Sequence, residues 1–142
     1  KTLSQILLPV QGTYDAEHAL RFLEKTPFRD PPTITLFTAL PHTRPPWPVD
    51  AASAKEMEVH ALRHAQDSLN DTAAKLATLG YQTRVAATLS TPVEGILQEA
   101  GALNPDLILM GSRGRHGVTR LVLGSVSHAL LHHGRYPLMI FN

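Results

Sequence analysis

The chain has 142 residues, of which 43% are hydrophobic and 18% charged, which is typical of one globular domain. It contains no cysteine, which excludes a disulfide scaffold, a thiolate zinc site and a cysteine nucleophile. The formal net charge is +1, yet residues 107–142 contain four arginines and no carboxylate, so residues 1–106 carry a net −3. A local positive field in a near-neutral chain favours a small anionic ligand over a nucleic-acid track.

No apolar run approaches the roughly 20 residues of a membrane-spanning helix. Residues 1–5 show no apolar signal-peptide core. These features predict a cytoplasmic protein that binds neither membranes nor nucleic acid.

The first half of the chain predicts two strands and two helices. An almost continuous apolar run at residues 6–10 is typical of a strand buried on both faces. Asp15 can start an amphipathic helix over residues 15–25, and β-forming residues follow at 33–39. Residues 41–50 contain four prolines around Trp47 and predict a stiff loop, after which residues 51–79 predict a long helix closed by Gly80.

The second half repeats the alternation. Residues 82–89 predict a third strand, and Thr91-Pro92-Val93-Glu94 carries the N-cap, N1 and N3 residues of a helix that runs to about residue 100. The remaining predicted elements are a strand at 107–110, a helix from 121 or 124 to 133, and a strand at 137–141.

Strands that alternate with helices through short connections predict a single α/β domain over residues 1–142, an open and mostly parallel sheet with helices on both faces. Ligands of such sheets bind beyond the carboxyl ends of the strands. Three segments should therefore meet there: residues 9–12, residues 39–40, and the chain from Gly111 onward.

The segment after the fourth strand is rich in glycine. Gly111-Ser112-Arg113-Gly114 is followed by Gly124-Ser125-Val126 at the start of a predicted helix. Glycines allow successive amides to point at one anion, and a helix N-terminus adds free amides and a positive dipole end. The alternative is a glycine-rich turn that only closes a tight connection. The loop is neither a Walker A loop nor the dinucleotide Gly-x-Gly-x-x-Gly motif.

The spacing Gly111-x2-Gly114-x9-Gly124-Ser125 resembles the nucleotide-binding signature of the universal stress protein family, in the subgroup that carries the ATP-binding motif. Residues 106–115 look like that family's fourth strand and loop, and residues 6–12 look like its opening strand. Residues 124–140 are similar to its last helix and strand, so the resemblance covers nearly the whole chain in order.

The resemblance implies a Rossmann-like, five-stranded parallel sheet of order 3-2-1-4-5. It also implies a small cytosolic stress-response module that forms a homodimer by pairing its last strand, here residues 137–141. Members with the complete glycine signature bind ATP, so an adenine nucleotide is the expected partner. The expected ligand is ATP, with or without Mg²⁺, and ADP or AMP are alternatives.

The resemblance also implies roles for individual residues. The residues expected at the phosphates are Gly111, Arg113, Gly114, Gly124, Ser125 and Val126. Those expected at adenine and ribose are Pro9, Val10, Gln11, Ala39 and Met110. No resident metal site and no catalytic residue is expected.

Gln11 departs from the family pattern, which has aspartate after the opening strand. An aspartate there accepts hydrogen bonds and helps to hold a cation, whereas a glutamine carries no charge. Gln11 therefore favours a second hypothesis, in which the chain binds no nucleotide and acts only as a dimeric interaction module.

The remaining polar residues carry weaker hypotheses. His60 and His64, like His128 and His132, are spaced i, i+4 on predicted helices and could each present two metal ligands, but solvated helix histidines are the simpler interpretation. Trp47 is expected to pack over the second helix, and closure over a ligand is the alternative. No Ser/His/Asp or paired-carboxylate set is present, so we expect no enzyme and at most slow ATP hydrolysis.

Overall fold

The computed structural model describes residues 3–26, 28–42, 45–111 and 125–141, with the side chains of residues 13 and 14 excepted. Strands and helices alternate along the described chain, as the sequence predicts. The elements are β1 (Gln5–Pro9), α1 (Gly12–Lys25), β2 (Thr33–Leu40), α2 (Ala51–Thr78), β3 (Thr83–Leu89), α3 (Pro92–Leu103), β4 (Leu107–Gly111), α4 (Ser125–His133) and β5 (Leu138–Phe141).

The five strands form one parallel sheet in the order β3-β2-β1-β4-β5, which confirms the predicted topology. β1 lies in the centre, where Ile6 pairs with Ile34 on one side and with Leu107 on the other. This central position explains why β1 reads as a continuous apolar run, because both of its faces are covered.

Two hydrophobic clusters cover the two faces of the sheet. Alternate residues of β1 belong to different clusters, since Ile6 and Leu8 pack with Leu23 and Leu76 from α1 and α2. Leu7 instead packs in the second cluster. The helix residues of that cluster come from α3 and α4: Ile96, Ala100 and Leu130. Helices therefore lie on both faces of the sheet, as predicted.

α1 begins at Gly12, so the expectation that it starts at Asp15 was wrong. Gln11 is the N-cap residue and Gly12 has a positive φ of 87°. The carboxylate of Asp15 accepts a hydrogen bond from the Gln11 backbone N–H at 2.8 Å. Asp15 thus stabilises a helix start one turn before itself, rather than acting as the cap.

Other boundaries differ by a few residues. α3 runs to Leu103 rather than to about residue 100, because Asn104 adopts left-handed backbone (φ 51°) and donates its N–H to the Ala100 carbonyl. Its start is as predicted, with the Thr91 hydroxyl accepting from the Glu94 N–H at 3.3 Å. The predicted starts of α4 at residues 121 and 124 lie outside the described residues.

The long helix α2 packs on the sheet only near its end. Its buried residues all lie between Leu69 and Leu76. Its first 18 residues, Ala51 to Ser68, contain none and extend along the edge of the domain. Within the described chain, no helix combines the length and apolarity needed to span a bilayer.

Candidate functional site

The carboxyl ends of β1, β2 and β4 bring most of the predicted adenine and ribose residues to one edge of the sheet. Pro9 pairs with Phe37 of β2, and the Val10 N–H donates to the Phe37 carbonyl at 2.8 Å. Ala39 lies two residues farther along β2. On the other side of β1, the pairing with β4 ends at Leu7 and Ile108, and Met110 lies two residues farther along β4.

The space between the ends of β1 and β4, which we call the β1–β4 crevice, is the site predicted from the sequence. Ala39, Met110 and Val126 all pack partly buried against the cluster on the α3–α4 face. Three predicted site residues from three separate elements thus share one set of neighbours. Their contact with a nucleotide stays a prediction.

Gly111, the first glycine of the signature, ends β4 in close contact with two side chains. A Cβ at this position would lie 3.0 Å from Asp15 Oδ1 and 3.3 Å from Phe141 Cζ. Phe141 pairs with Gly111 across the sheet and stacks on Phe22 with ring centroids 4.7 Å apart. A larger residue at 111 would have to displace a buried carboxylate or a packed aromatic ring.

Asp15 is the residue of this site that sequence reasoning missed. It is 8% exposed, one carboxylate oxygen faces Gly111, and the other accepts from the Gln11 N–H. Burial raises the pKa of Asp15 to about 6, although the Gln11 hydrogen bond acts in the opposite direction. The only available signal was an acidic residue four positions after Gln11, which the sequence alone explains equally well as a helix start.

Gln11 itself is half-buried at the start of α1, with extended backbone and no capping hydrogen bond from its side chain. Its backbone is held by Asp15, so the two residues form one unit at the mouth of the crevice. A carboxylate is therefore present one helical turn from the position where the family pattern places one. It lies in the domain interior instead of at the surface.

The described part of the phosphate segment is limited to its two ends. Gly111 lies in β4, and Ser125 is the exposed first residue of α4, followed by the half-buried Val126. The predicted phosphate residues Arg113, Gly114 and Gly124 lie outside the described residues, and their roles stay predictions.

A second concavity opens at the same edge of the sheet, beyond β2 and β3. We call it the proline-loop cavity. It has a volume of about 1110 Å³ and lies between residues 40–50 and the first turns of α2. Its walls include Leu40, Ala54, Met57 and Leu89, and none of the predicted nucleotide residues lines it.

The expectation that Trp47 packs over α2 was wrong, because Trp47 lines this cavity and remains 59% exposed. Polar contacts connect the loop to α2 instead. Asp50 Oδ1 accepts from the Ser53 N–H at 2.6 Å, and His42 Nδ1 lies 3.9 Å from Glu58 Oε1. The Ser53 hydrogen bond lowers the pKa of Asp50.

The four histidines spaced i, i+4 are all exposed, as expected. In the part of the chain that the structure describes, no group of three or more metal-ligating side chains comes together.

The chain is similar to known proteins in both sequence and structure. A family model described as the Universal stress protein family matches residues 2–142. Over 67 residues the chain is 33% identical to universal stress protein Slr1101 of Synechocystis sp., an alignment that spans 47% of this chain and 62% of that relative. The aligned region thus covers less than two thirds of the curated relative.

Solved structures of similar fold include relatives with bound nucleotides. Universal stress protein UspA from Lactobacillus plantarum superposes with a TM-score of 0.75 at 19% identity, covering 100% of this chain and 99% of that one. A family protein from Arabidopsis thaliana with AMP bound gives 0.66 at 16% identity, covering 97% and 90%. A universal stress protein in complex with cAMP gives 0.62 at 13% identity, covering 100% and 98%.

Proposed function

Because the chain belongs to the universal stress protein family, we propose that it binds an adenine nucleotide in the β1–β4 crevice. The observation that carries the proposal is that Pro9, Ala39 and Met110 lie toward the carboxyl ends of neighbouring parallel strands, where sheets of this kind bind ligands. Relatives of the same fold bind AMP and cAMP.

The phosphates are proposed to lie between the end of β4 and the start of α4. Ser125 opens α4, and the first amides of a helix are free donors with a positive dipole end. The proposed phosphate residues are Gly111, Arg113, Gly114, Gly124, Ser125 and Val126. The absence of any carboxylate after Asp106 leaves residues 107–142 positive, which suits a polyphosphate.

The base and ribose are proposed to lie over the ends of β1 and β2, against Pro9, Val10, Gln11, Ala39 and Met110. Pro9, Ala39 and Met110 offer apolar contacts, whereas the Gln11 side chain both donates and accepts hydrogen bonds. We propose ATP as the ligand, with ADP or AMP as alternatives. Mg²⁺ would have to be held mainly by the phosphates, because Gln11 supplies no charge and Asp15 is buried.

The proposed role is that of a nucleotide-dependent regulatory module in the cytoplasm, not an enzyme. The described residues of the crevice offer one carboxylate, Asp15, whose exposed fraction of 8% leaves it little access to water. Hydrolysis of ATP would accordingly be slow. β5 is an edge strand of the sheet, and an unpaired edge invites pairing with a second copy, so we propose a homodimer through residues 137–141.

Calorimetric titration of the full chain with ATP, ADP and AMP, with and without Mg²⁺, tests nucleotide binding. Gly114→Val should abolish binding by filling the phosphate space, and Gly101→Ala is the matched control because a Cβ at 101 meets nothing within 4 Å. Binding to wild type that survives in Gly114→Val would contradict the phosphate assignment. No heat and no rise in Tm at millimolar nucleotide would overturn the proposal.

A second function is favoured by Gln11: an interaction module that binds no nucleotide. It predicts that ATP leaves the Tm of the wild-type chain unchanged. If Gln11→Asp binds ATP and wild type does not, glutamine at this position is what separates the two functions.

A further inference from the structure

The second turn of α4 brings two imidazole rings into contact. His128 and His132 are four residues apart, and their Nε2 atoms lie 3.1 Å from each other. The ring centroids are 4.6 Å apart with an interplanar angle of 78°. Both side chains are exposed, so the contact is not imposed by burial in the core.

A nitrogen–nitrogen contact of this length requires that one ring donates a proton and the other offers a lone pair. Two doubly protonated rings would bring two positive charges together with no acceptor between them. An unprotonated imidazole nitrogen is the form that binds metals.

The same separation suits a shared metal ion. Imidazole nitrogens bind Zn²⁺ at about 2.0–2.1 Å, and two nitrogens 3.1 Å apart at that distance subtend roughly 100° at the metal. This angle lies between the octahedral and the tetrahedral values. Both rings are exposed, so they have room to rotate toward a shared metal.

We propose that His128 and His132 form a two-histidine site for a late divalent transition metal: Zn²⁺, Ni²⁺ or Cu²⁺. These are the ions that imidazole favours, with Cu²⁺ bound most tightly by the usual order of affinities. Within the described residues, no third ligand joins the pair. Ser125 and Val126 of the proposed nucleotide site lie on the same helix, so metal binding is tested without nucleotide.

A second pair of histidines in the same chain serves as the control for the α4 pair. His60 and His64 on α2 have the same spacing and are also exposed. Along the described chain, no hydrogen bond or ring contact joins them, unlike the pair on α4. If spacing alone decided affinity, the two pairs would bind metal equally. The proposal is that the preformed nitrogen contact makes the α4 pair the tighter site.

The test is calorimetric titration of the full chain, without an affinity tag and without nucleotide, using Ni²⁺ and then Zn²⁺ and Cu²⁺. We expect one equivalent to bind wild type, with affinity at least tenfold lower in His128→Ala and in His132→Ala. His60→Ala and His64→Ala should stay within twofold of wild type. Since the chain has no cysteine, no thiolate competes for the metal.

Circular dichroism of each variant establishes that it is folded, which exposed positions on helices should allow. Equal losses from the α2 and α4 variants would overturn the assignment. So would metal binding that persists in the double variant His128→Ala/His132→Ala, or no binding by wild type at millimolar metal.

Discussion

The β1–β4 crevice and the proline-loop cavity lie at the same edge of one sheet, yet they are built in opposite ways. In the crevice the walls are fixed by packing: Val10 is 2% exposed, Phe141 3% and Asp15 8%. The residues that line the cavity are more exposed to solvent: Trp47 is 59% exposed and Met57 is 45% exposed. The residues of the crevice are closely packed, whereas the proline-loop cavity keeps about 1110 Å³ open.

The difference shows that the crevice and the proline-loop cavity, although they lie at the same edge of the sheet, are held in place by different interactions. Strand register and helix packing hold the crevice, since a Cβ added at Gly111 would meet both Asp15 and Phe141. Proline-restricted backbone and an N-cap at Asp50 hold the loop, which has little support from the core. A mutation in the crevice should therefore cost stability, and one in the cavity should cost little.

The largest expected effect separates the aromatic residues of the two regions. Phe37, which pairs with Pro9 from within β2, is 1% exposed, so Phe37→Ala should reduce the free energy of unfolding by about 3–5 kcal/mol. Trp47→Ala should change it by less than about 0.5 kcal/mol, because most of the indole is already in water. Urea titration measures both, and a large loss in Trp47→Ala would remove the distinction between the regions.

The buried carboxylate of the crevice predicts a pH dependence. Between its ordinary pKa of 3.8 and the raised value of about 6, Asp15 is protonated in the native state and ionised in the unfolded state. The native state thus binds more protons, and this group makes stability fall as pH rises through that window, by roughly 2–3 kcal/mol in total.

Asp15→Asn keeps an acceptor for the Gln11 N–H and removes the titration. It should flatten this fall between pH 4 and pH 6 and raise stability at pH 7, as measured by urea unfolding across pH. Asp50→Asn in the proline loop is the opposite control, because the pKa of Asp50 is lowered and its contribution is lost only toward acid. An unchanged slope in Asp15→Asn would show that Asp15 is ionised in the native state.

A smaller effect tests the boundary between the two regions, at Gly95 of α3. A Cβ there would overlap the Ser90 hydroxyl and press on Phe37 and Ala39 at 3.1 and 3.2 Å. Gly95→Ala should therefore destabilise by roughly 1–3 kcal/mol. Gly101→Ala, in the same helix but open to solvent, should stabilise by about 0.5–1 kcal/mol. Equal Tm values for the two variants would mean that the backbone at Gly95 can move away.

Much of the architecture could be predicted from the sequence because its signals are local. The apolar run of β1, the Thr91 cap of α3 and the alternation of elements depend on neighbouring residues and on burial patterns. The sheet order came from the family resemblance rather than from those patterns, and the structure confirms it.

The composition of the site could be predicted only in part. Met110 and Val126 were expected there and share one cluster in the structure. Asp15 was missed because its role depends on Gly111, far along the chain, and Trp47 was misplaced because exposure in a stiff loop leaves no periodic pattern. Spacing alone also treated the two histidine pairs alike.

The sequence by itself determined the α/β alternation, the central buried strand and the glycine signature with its positive flank, since each is encoded in residue type and spacing. The tertiary structure alone decided that a carboxylate of α1 lies against the last residue of β4 and that the α4 histidines touch. It also decided that a cavity remains beneath Trp47. Those outcomes depend on which surfaces helix packing and strand register bring together, and no local pattern encodes that.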